Sequence, residues 1–452
     1  MTFVKTLMAA SLALAFAGAA QAAVSLQEAE KLGTTLTGMG AERAANADGS
    51  IPEYTGGVTV APAGFNAGDS YRPDPFASEK PILVIDQSNL AEYKDKLTAT
   101  TAELVKRYPT YKVNVYPTHR SVWVPKANLD NTKLNAVSAK LVDDGNGVDN
   151  ALPGVPFPIP QNGNEAMWNH LLRYIGLTIT SKFDNWNVDS AGVPTLATTG
   201  VGYVNSEIYE DMSKVMGPKD IFYRIKLYYT GPARRAGEAI LVQDAVNTKV
   251  QPRRAWQYLP GQRRVKLAPD LAYDTPNPGS AGASTYDDTF VFSGALDRFD
   301  WKLVGKKEVY VPYNAYRLAY GKDAKALVTA NHIAPDEVRW EKHRMWVVEA
   351  TLKPGKRHIY HKRTVYLDED SWVALASDMY DARGDLYRGS FAFLAPSYDV
   401  GVPNATPHMI YDLIGGSYTI SGLVGPYGGV KYIDNLSKAK WTPQALAGAG
   451  IR

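Results

Sequence analysis

The chain has 452 residues, with 49 Lys and Arg against 46 Asp and Glu, and no cysteine. A formal charge of +3 is too small to point to nucleic acid. The missing thiols exclude disulfides, thiolate metal sites, cysteine nucleophiles and dithiol redox chemistry.

Lys5 precedes an apolar run from Leu7 to Ala20, which closes on Ala20-Gln21-Ala22, a small-x-small cleavage site. This is the pattern of a secretory signal peptide, cleaved after Ala22. A membrane anchor needs about 20 apolar residues, more than this run supplies. No cysteine follows the cleavage site to accept a lipid. The expectation is a soluble, untethered protein of the periplasm that begins near Ala23.

Aromatic side chains at 11%, with 38 Gly and 28 Pro, favour many strands joined by short turns. Residues 23–160 read as a helical and irregular segment ending in a proline strap, and 161–452 as a sheet domain, the two forming one unit. Ser25 and Glu28 make a capping box that opens a short helix ending at Gly33. Leu90, Tyr93, Leu97, Thr101, Leu104 and Tyr108 predict one helix that stops before Pro109, and Leu134, Val137 and Leu141 suggest another. The run Pro153-Gly154-Val155-Pro156-Phe157-Pro158-Ile159-Pro160 fits neither a helix nor a central strand. Trp168, Leu171, Leu172 and Ile175 then form an apolar helical stripe.

From about residue 200 the hydrophobic period becomes two. In Ile221 to Tyr229 the odd positions are apolar or aromatic, whereas Arg224 and Lys226 face the other way, as in a half-buried strand. Similar runs occur at 239–246, 254–259, 264–267, 345–352, 359–367 and 372–380. Turn signals lie between them at Pro260-Gly261, Pro354-Gly355, Asp368-Glu369-Asp370 and Arg383-Gly384. The predicted class is α+β and β-rich, one large curved antiparallel sheet made of successive hairpins.

The search for catalytic motifs is nearly empty. G-x-S-x-G, H-E-x-x-H and a Walker loop are absent, and Gly422, Gly425 and Gly428 read as a glycine-rich turn. His358 and His361 fall in a strand-like segment, where residues three apart point to opposite faces, so a solvated basic hairpin is expected there. Asn46-Ala47-Asp48-Gly49 lacks the acids that would complete a calcium loop and reads as an Asx turn. Asp287 and Asp288, followed by Asp297 to Lys302, form the densest polar cluster. They are the only acid/base candidates, and loop carboxylates paired with Arg or Lys are the simpler reading. No metal and no cofactor are expected.

Several strings together resemble one family. They are Glu42-Arg43-Ala44-Ala45-Asn46-Ala47-Asp48-Gly49-Ser50-Ile51-Pro52, Pro156 to Pro160 with Glu165-Ala166 and Trp168-Asn169-His170, Asp297 to Glu308, and Trp346 to Leu352. The family is the domain of unknown function 1329 family of Gram-negative proteins, related to lipoprotein-sorting proteins of the LolA/LolB type. The hairpin Trp256 to Val265 is similar to a W-x-Y-x-P turn of those relatives. The resemblance implies an incomplete β-barrel whose concave apolar face is covered by helices and holds an acyl chain or similar ligand. It also implies partners: an inner-membrane transporter of the resistance-nodulation-division type and an outer-membrane barrel protein.

The expected function is therefore a periplasmic carrier or chaperone of a lipid or other hydrophobic ligand. The alternatives are a protein-binding adaptor of such a transport complex and an enzyme on a hydrophobic substrate. Candidate lining residues on the apolar strand face are Ile225, Leu227, Ile240, Val242, Trp256, Trp346, Val348, Val373 and Leu375. Alternation alone does not distinguish an open cavity from a filled core.

Overall fold

The computed structural model describes residues 24–447. The signal-peptide reading of residues 1–22 lies outside them. The frame is a 16-stranded sheet. Its long strands are β1 (Thr178–Val188), β2 (Pro194–Asn205), β3 (Ile221–Gly231), β4 (Ala239–Ala245), β5 (Arg254–Leu259) and β6 (Arg264–Leu267). They continue as β7 (Phe299–Pro312), β8 (Trp340–Leu352), β9 (Lys362–Asp368), β10 (Ala374–Tyr380), β11 (Leu386–Ala392), β12 (His408–Asp412) and β13 (Ser417–Leu423).

Two meanders make the sheet. One runs β7 to β13 and the other β1 to β6, and they join where β13 pairs antiparallel with β1, Tyr418 opposite Val188. The ladder does not close on itself. Register shifts at Asn185/Trp186, Leu303/Gly305, Tyr366/Leu367 and Met379/Tyr380 bend it, as bulges do. The prediction of a wholly antiparallel sheet needs one correction, because Val113–Val115 adds a short parallel contact, Val115 to Trp340. The period-two region also begins earlier than expected, at Thr178. Phe299 to Lys302, read as a polar loop, is a strand with Phe299 and Trp301 buried and Asp300 and Lys302 exposed.

The helices depart from the sequence reading for identifiable reasons. The helix expected from Leu90 to Tyr108 is broken at Leu97, which is extended. Thr98 caps a separate helix, α1 (Ala99–Arg107). The buried Asp378 carboxylate of β10 accepts from the Ala99 and Thr100 amides at 2.9 and 2.8 Å and from the Thr100 hydroxyl at 2.6 Å. Three donors at a buried acid outweigh the helical continuation that the apolar spacing favoured.

The next helix, α2 (Lys126–Ser138), buries its polar side: Leu134 is 56% exposed, while Asn131, Thr132 and Asn135 are buried. A proline-rich strap cannot satisfy its own backbone groups. Asn135 Nδ2 donates to the Leu152 and Val155 carbonyls, Asn131 Nδ2 to the Pro153 carbonyl, and Thr132 Oγ1 accepts from the Val155 amide. The asparagines therefore face inward to hold the strap, and Leu141 lies outside the helix in a short strand.

The main core lies against the β7–β11 meander. Helix α3 (Gly163–Leu171) presses onto it, with Ala166, Met167 and Trp168 fully buried. At Gly163 a Cβ would stand 2.5 Å from the Trp301 carbonyl, so glycine permits this approach. His170 pins α3 to the sheet: its ring lies 3.0 Å from the Phe292 carbonyl and 3.1 Å from the Ala374 amide.

Candidate functional site

On the other meander one face is covered only in part and borders a cleft. Strands supply every second side chain to one face, so β1 contributes Ile179, Ser181, Phe183 and Asn185. From β3 come Tyr223, Ile225, Leu227 and Tyr229, and from β4 Ile240 and Val242. The opposite wall is made of irregular chain: Arg173 and Ile175 after α3, Tyr286 to Ser293, and Val402 to His408. Together they border a cleft of about 1580 Å³ of space between atoms, open solvent at its mouth included. Gly202 of β2 keeps the floor low, since a Cβ there would come within 3.2 Å of Leu227.

Of the nine apolar lining candidates, Ile225, Leu227, Ile240 and Val242 border this cleft. The other five do not. Trp256 lies on the convex side with Leu241, Tyr258, Trp441 and Leu446. Val348, Val373 and Leu375 are fully buried in the main core, beneath the face that α3 fills. Trp346 is half-buried there, stacked on Trp372 with ring centroids 6.1 Å apart, and the Lys306 ammonium lies 4.8 Å over it.

The two faces of β3 reverse the usual pattern. Ile225 and Leu227 remain partly exposed because they border the cleft, whereas Arg224 and Lys226 are 6% and 3% exposed. The charged face is covered by the C-terminal segment. Lys226 donates to the Lys440 carbonyl at 2.8 Å and lies 5.0, 5.2 and 5.5 Å from the Trp441, Tyr203 and Tyr228 rings. Burial pushes its ammonium down to about 8. Arg224 pairs with Glu207.

Asp287 and Asp288 are buried and point away from the cleft that their neighbours Tyr286 and Thr289 border. Arg363 donates to Asp287 at 2.7 Å and to Asp288 at 3.4 Å, His358 meets Asp287 at 2.9 Å, and the Tyr360 hydroxyl donates to Asp288 at 3.0 Å. Burial alone would raise the Asp287 carboxyl, but Arg363 and His358 outweigh it and hold the group well below the usual range. The segment expected to be a solvated basic hairpin is thus corrected: His358, Tyr360 and Arg363 all turn inward to this network, and His361 stays outside. Asp48 does close an Asx turn, accepting from the Ser50 amide at 3.0 Å, and its other oxygen takes the Lys342 ammonium at 2.8 Å.

Among the described residues, His343, Asp368 and Asp370 are the buried group with metal-ligand atoms within 4.8 Å of one another. Arg120 engages both oxygens of Asp370 at 2.9 and 2.7 Å, and His343 bonds Glu341 at 3.0 Å, so two of the three groups are already paired. Asp368 accepts from Ser371 through one oxygen and leaves the other without a partner among the described residues. Burial, with Asp370 nearby, pushes the Asp368 carboxyl up to about 7. In the cleft itself, His408 bonds the Thr406 carbonyl through Nδ1 at 2.9 Å, and burial lowers it to about 4, leaving a neutral ring. The sequence reading found neither of these groups nor Arg173. Their distinguishing signal is burial among distant segments, which no local pattern carries.

Residues 84–447 match the family described as protein of unknown function DUF1329. The chain belongs to this family. An uncharacterised Pseudomonas aeruginosa relative is 42% identical over 438 residues, covering 95% of each chain. Among solved structures, a DUF1329 family protein of Desulfovibrio piger is similar at 15% identity with a TM-score of 0.40, covering 60% of this chain and 92% of that one. A LolA superfamily protein of Nitrosomonas europaea is similar at 12% identity with a TM-score of 0.38, covering 63% and 98%.

Proposed function

We propose that this DUF1329 protein is a periplasmic carrier that holds a lipid or other hydrophobic ligand in the cleft between β1–β4 and the loops opposite, and moves it between membranes. One observation carries the reading: the cleft has an apolar floor on which Ile225 and Leu227 stay partly exposed above the buried Ile240 and Val242, where Val348, Val373 and Leu375 of the neighbouring meander are fully buried. An apolar floor in water is unfavourable by about 25 cal/mol per Å², and each methylene laid on it contributes about 0.8 kcal/mol. A ligand of a dozen methylenes would bind through burial with few polar contacts. The inner-membrane transporter and outer-membrane barrel implied by the family resemblance would be donor and acceptor.

The test is extraction and native mass spectrometry of protein purified from a Gram-negative periplasm without detergent. A hydrophobic species should accompany the wild type and be lost from Ile225→Trp, whose side chain projects from the half-exposed floor into the cleft, at an unchanged thermal midpoint. No such species on the wild type, or equal amounts on both proteins, removes the proposal.

A further inference from the structure

Among the described residues, most buried or half-buried arginines bond a carboxylate; Arg43, which donates to the Gly33 and Thr34 carbonyls near the surface, and Arg173 do not. Arg72, Arg120, Arg253, Arg339, Arg344 and Arg363 each bond a carboxylate, at distances from 2.6 to 2.9 Å. Arg173 borders the cleft just beyond α3 and has no carboxylate within ion-pair distance among the described residues. Its one protein acceptor is the His170 carbonyl, 2.6 Å from Nη1. Its neighbours are the neutral phenols Tyr209 and Tyr223, and burial pushes it down only to about 10, so it stays cationic at neutral pH. Arg253, the other arginine on the cleft, is neutralised by Asp244 and also donates to Ser293.

A half-buried guanidinium without a counter-ion carries part of the cost of a buried charge, and a neutral side chain of similar size would avoid it. A planar fork of donors aimed into a cleft is suited to a carboxylate or a phosphate, which it can bind through two parallel hydrogen bonds. Its position adds a length. Arg173 lies beside Tyr223, the first of the β3 residues on the floor, and the row Tyr223, Ile225, Leu227, Tyr229 continues away from it for six residues. At about 3.3 Å per residue that is roughly 20 Å of floor.

We propose that the ligand of the cleft is an anionic amphiphile, with its acyl chain along the Ile225–Leu227 floor and its anionic head on the unpaired Arg173 guanidinium. This rests on the carrier reading above and narrows it to a class of ligand, a single acyl chain ended by a carboxylate or a phosphate monoester.

Binding of laurate, dodecyl phosphate and the neutral ester methyl laurate can be compared by displacement of Nile red from wild type, Arg173→Gln and Arg173→Lys. A charge-assisted pair in an enclosed site corresponds to about tenfold or more in affinity. Wild type should therefore bind laurate or dodecyl phosphate at least about tenfold tighter than methyl laurate. Arg173→Gln should lose that preference while binding the ester as wild type does, and Arg173→Lys should keep part of it. The anion that loses more in Arg173→Gln identifies the head as carboxylate or phosphate. Equal binding of anions and ester by wild type, or a preference that survives in Arg173→Gln, overturns the inference and leaves the carrier reading standing. Failure of wild type to bind any of the three overturns both. Should Arg173→Gln not fold, the wild-type ratio of anion to ester decides alone.

Discussion

The two meanders of the sheet use similar strands and end differently. Against β7–β11 the apolar face is filled: Trp168 of α3, Val348, Val373 and Leu375 are all at most 1% exposed. Against β1–β4 part of the equivalent face, at Ile225 and Leu227, is left half-exposed to the cleft although Ile240 and Val242 are buried, and a covering segment goes to the convex side, where Trp441 and Leu446 seat on Trp256 and Leu241. A sheet face is therefore committed to core or to site by what lies over it, not by its own alternation. Truncation should separate the two halves most clearly. Leu375→Ala removes a side chain that the core cannot replace and should cost about 2–5 kcal/mol. Leu227→Ala, on an already open floor, should cost less than about 1 kcal/mol, since little new cavity is created. Urea unfolding of both variants measures the contrast, and equal losses would mean that the cleft is packed like the core.

A second contrast concerns charge. Asp287 and Asp288 join the loop before β7 to Arg363 of β9, inside the protein and away from the cleft. Asp287→Asn leaves Arg363 with only its longer contact to Asp288 and should cost about 3–5 kcal/mol, the range for breaking a buried pair. The pH dependence follows from the depressed carboxyl. The Asp287 contribution is complete above about pH 3.9, the ordinary aspartate value, and is lost as pH falls toward the lower folded value. Asp368 acts in the opposite sense. Its carboxyl is raised to about 7, so the folded state holds the proton more tightly than the unfolded chain, and the protein loses stability as pH rises from about 4 to 7. Asp368→Asn should flatten that slope, and denaturant midpoints measured across the interval would detect it.

The sequence revealed directions better than covers. Period two in Ile221 to Tyr229 assigned Ile225 and Leu227 to one face and Arg224 with Lys226 to the other, as observed. It did not reveal which face would be buried, because the cover over Lys226 comes from Lys440 and Trp441, more than 200 residues away. The same limit misplaced Trp256 and the three β8–β10 core candidates, whose alternation resembles that of the cleft strands. The unpaired state of Arg173 was equally hidden, since it depends on what does not approach it from distant segments. Helix α1 was misread where Asp378 intercepts its backbone donors, and β7 where charged residues on its outer face concealed Phe299 and Trp301. In each case a contact distant in sequence outweighed a correct local pattern.

The smallest effect is expected on the convex side of β3. Lys226 is buried as a cation whose compensation is one carbonyl and the faces of three aromatic rings, without a carboxylate. Because its folded value is lowered to about 8, the unfolded chain binds the proton more tightly, and the penalty develops as pH falls from about 10.4 to 8 and persists below. Lys226→Met keeps the aliphatic stem against Trp441 and removes that penalty, while giving up the bond to Lys440 and the cation–π attraction, each worth about 1–2 kcal/mol. These terms oppose one another, so the variant should lie within about 1 kcal/mol of wild type near neutral pH and no longer gain stability between pH 8 and 10. A loss of several kcal/mol would instead make Lys226 the anchor of the C-terminal segment. The cover would then be held by charge as the β7–β9 side is, and the convex face would cease to be an ordinary aromatic core.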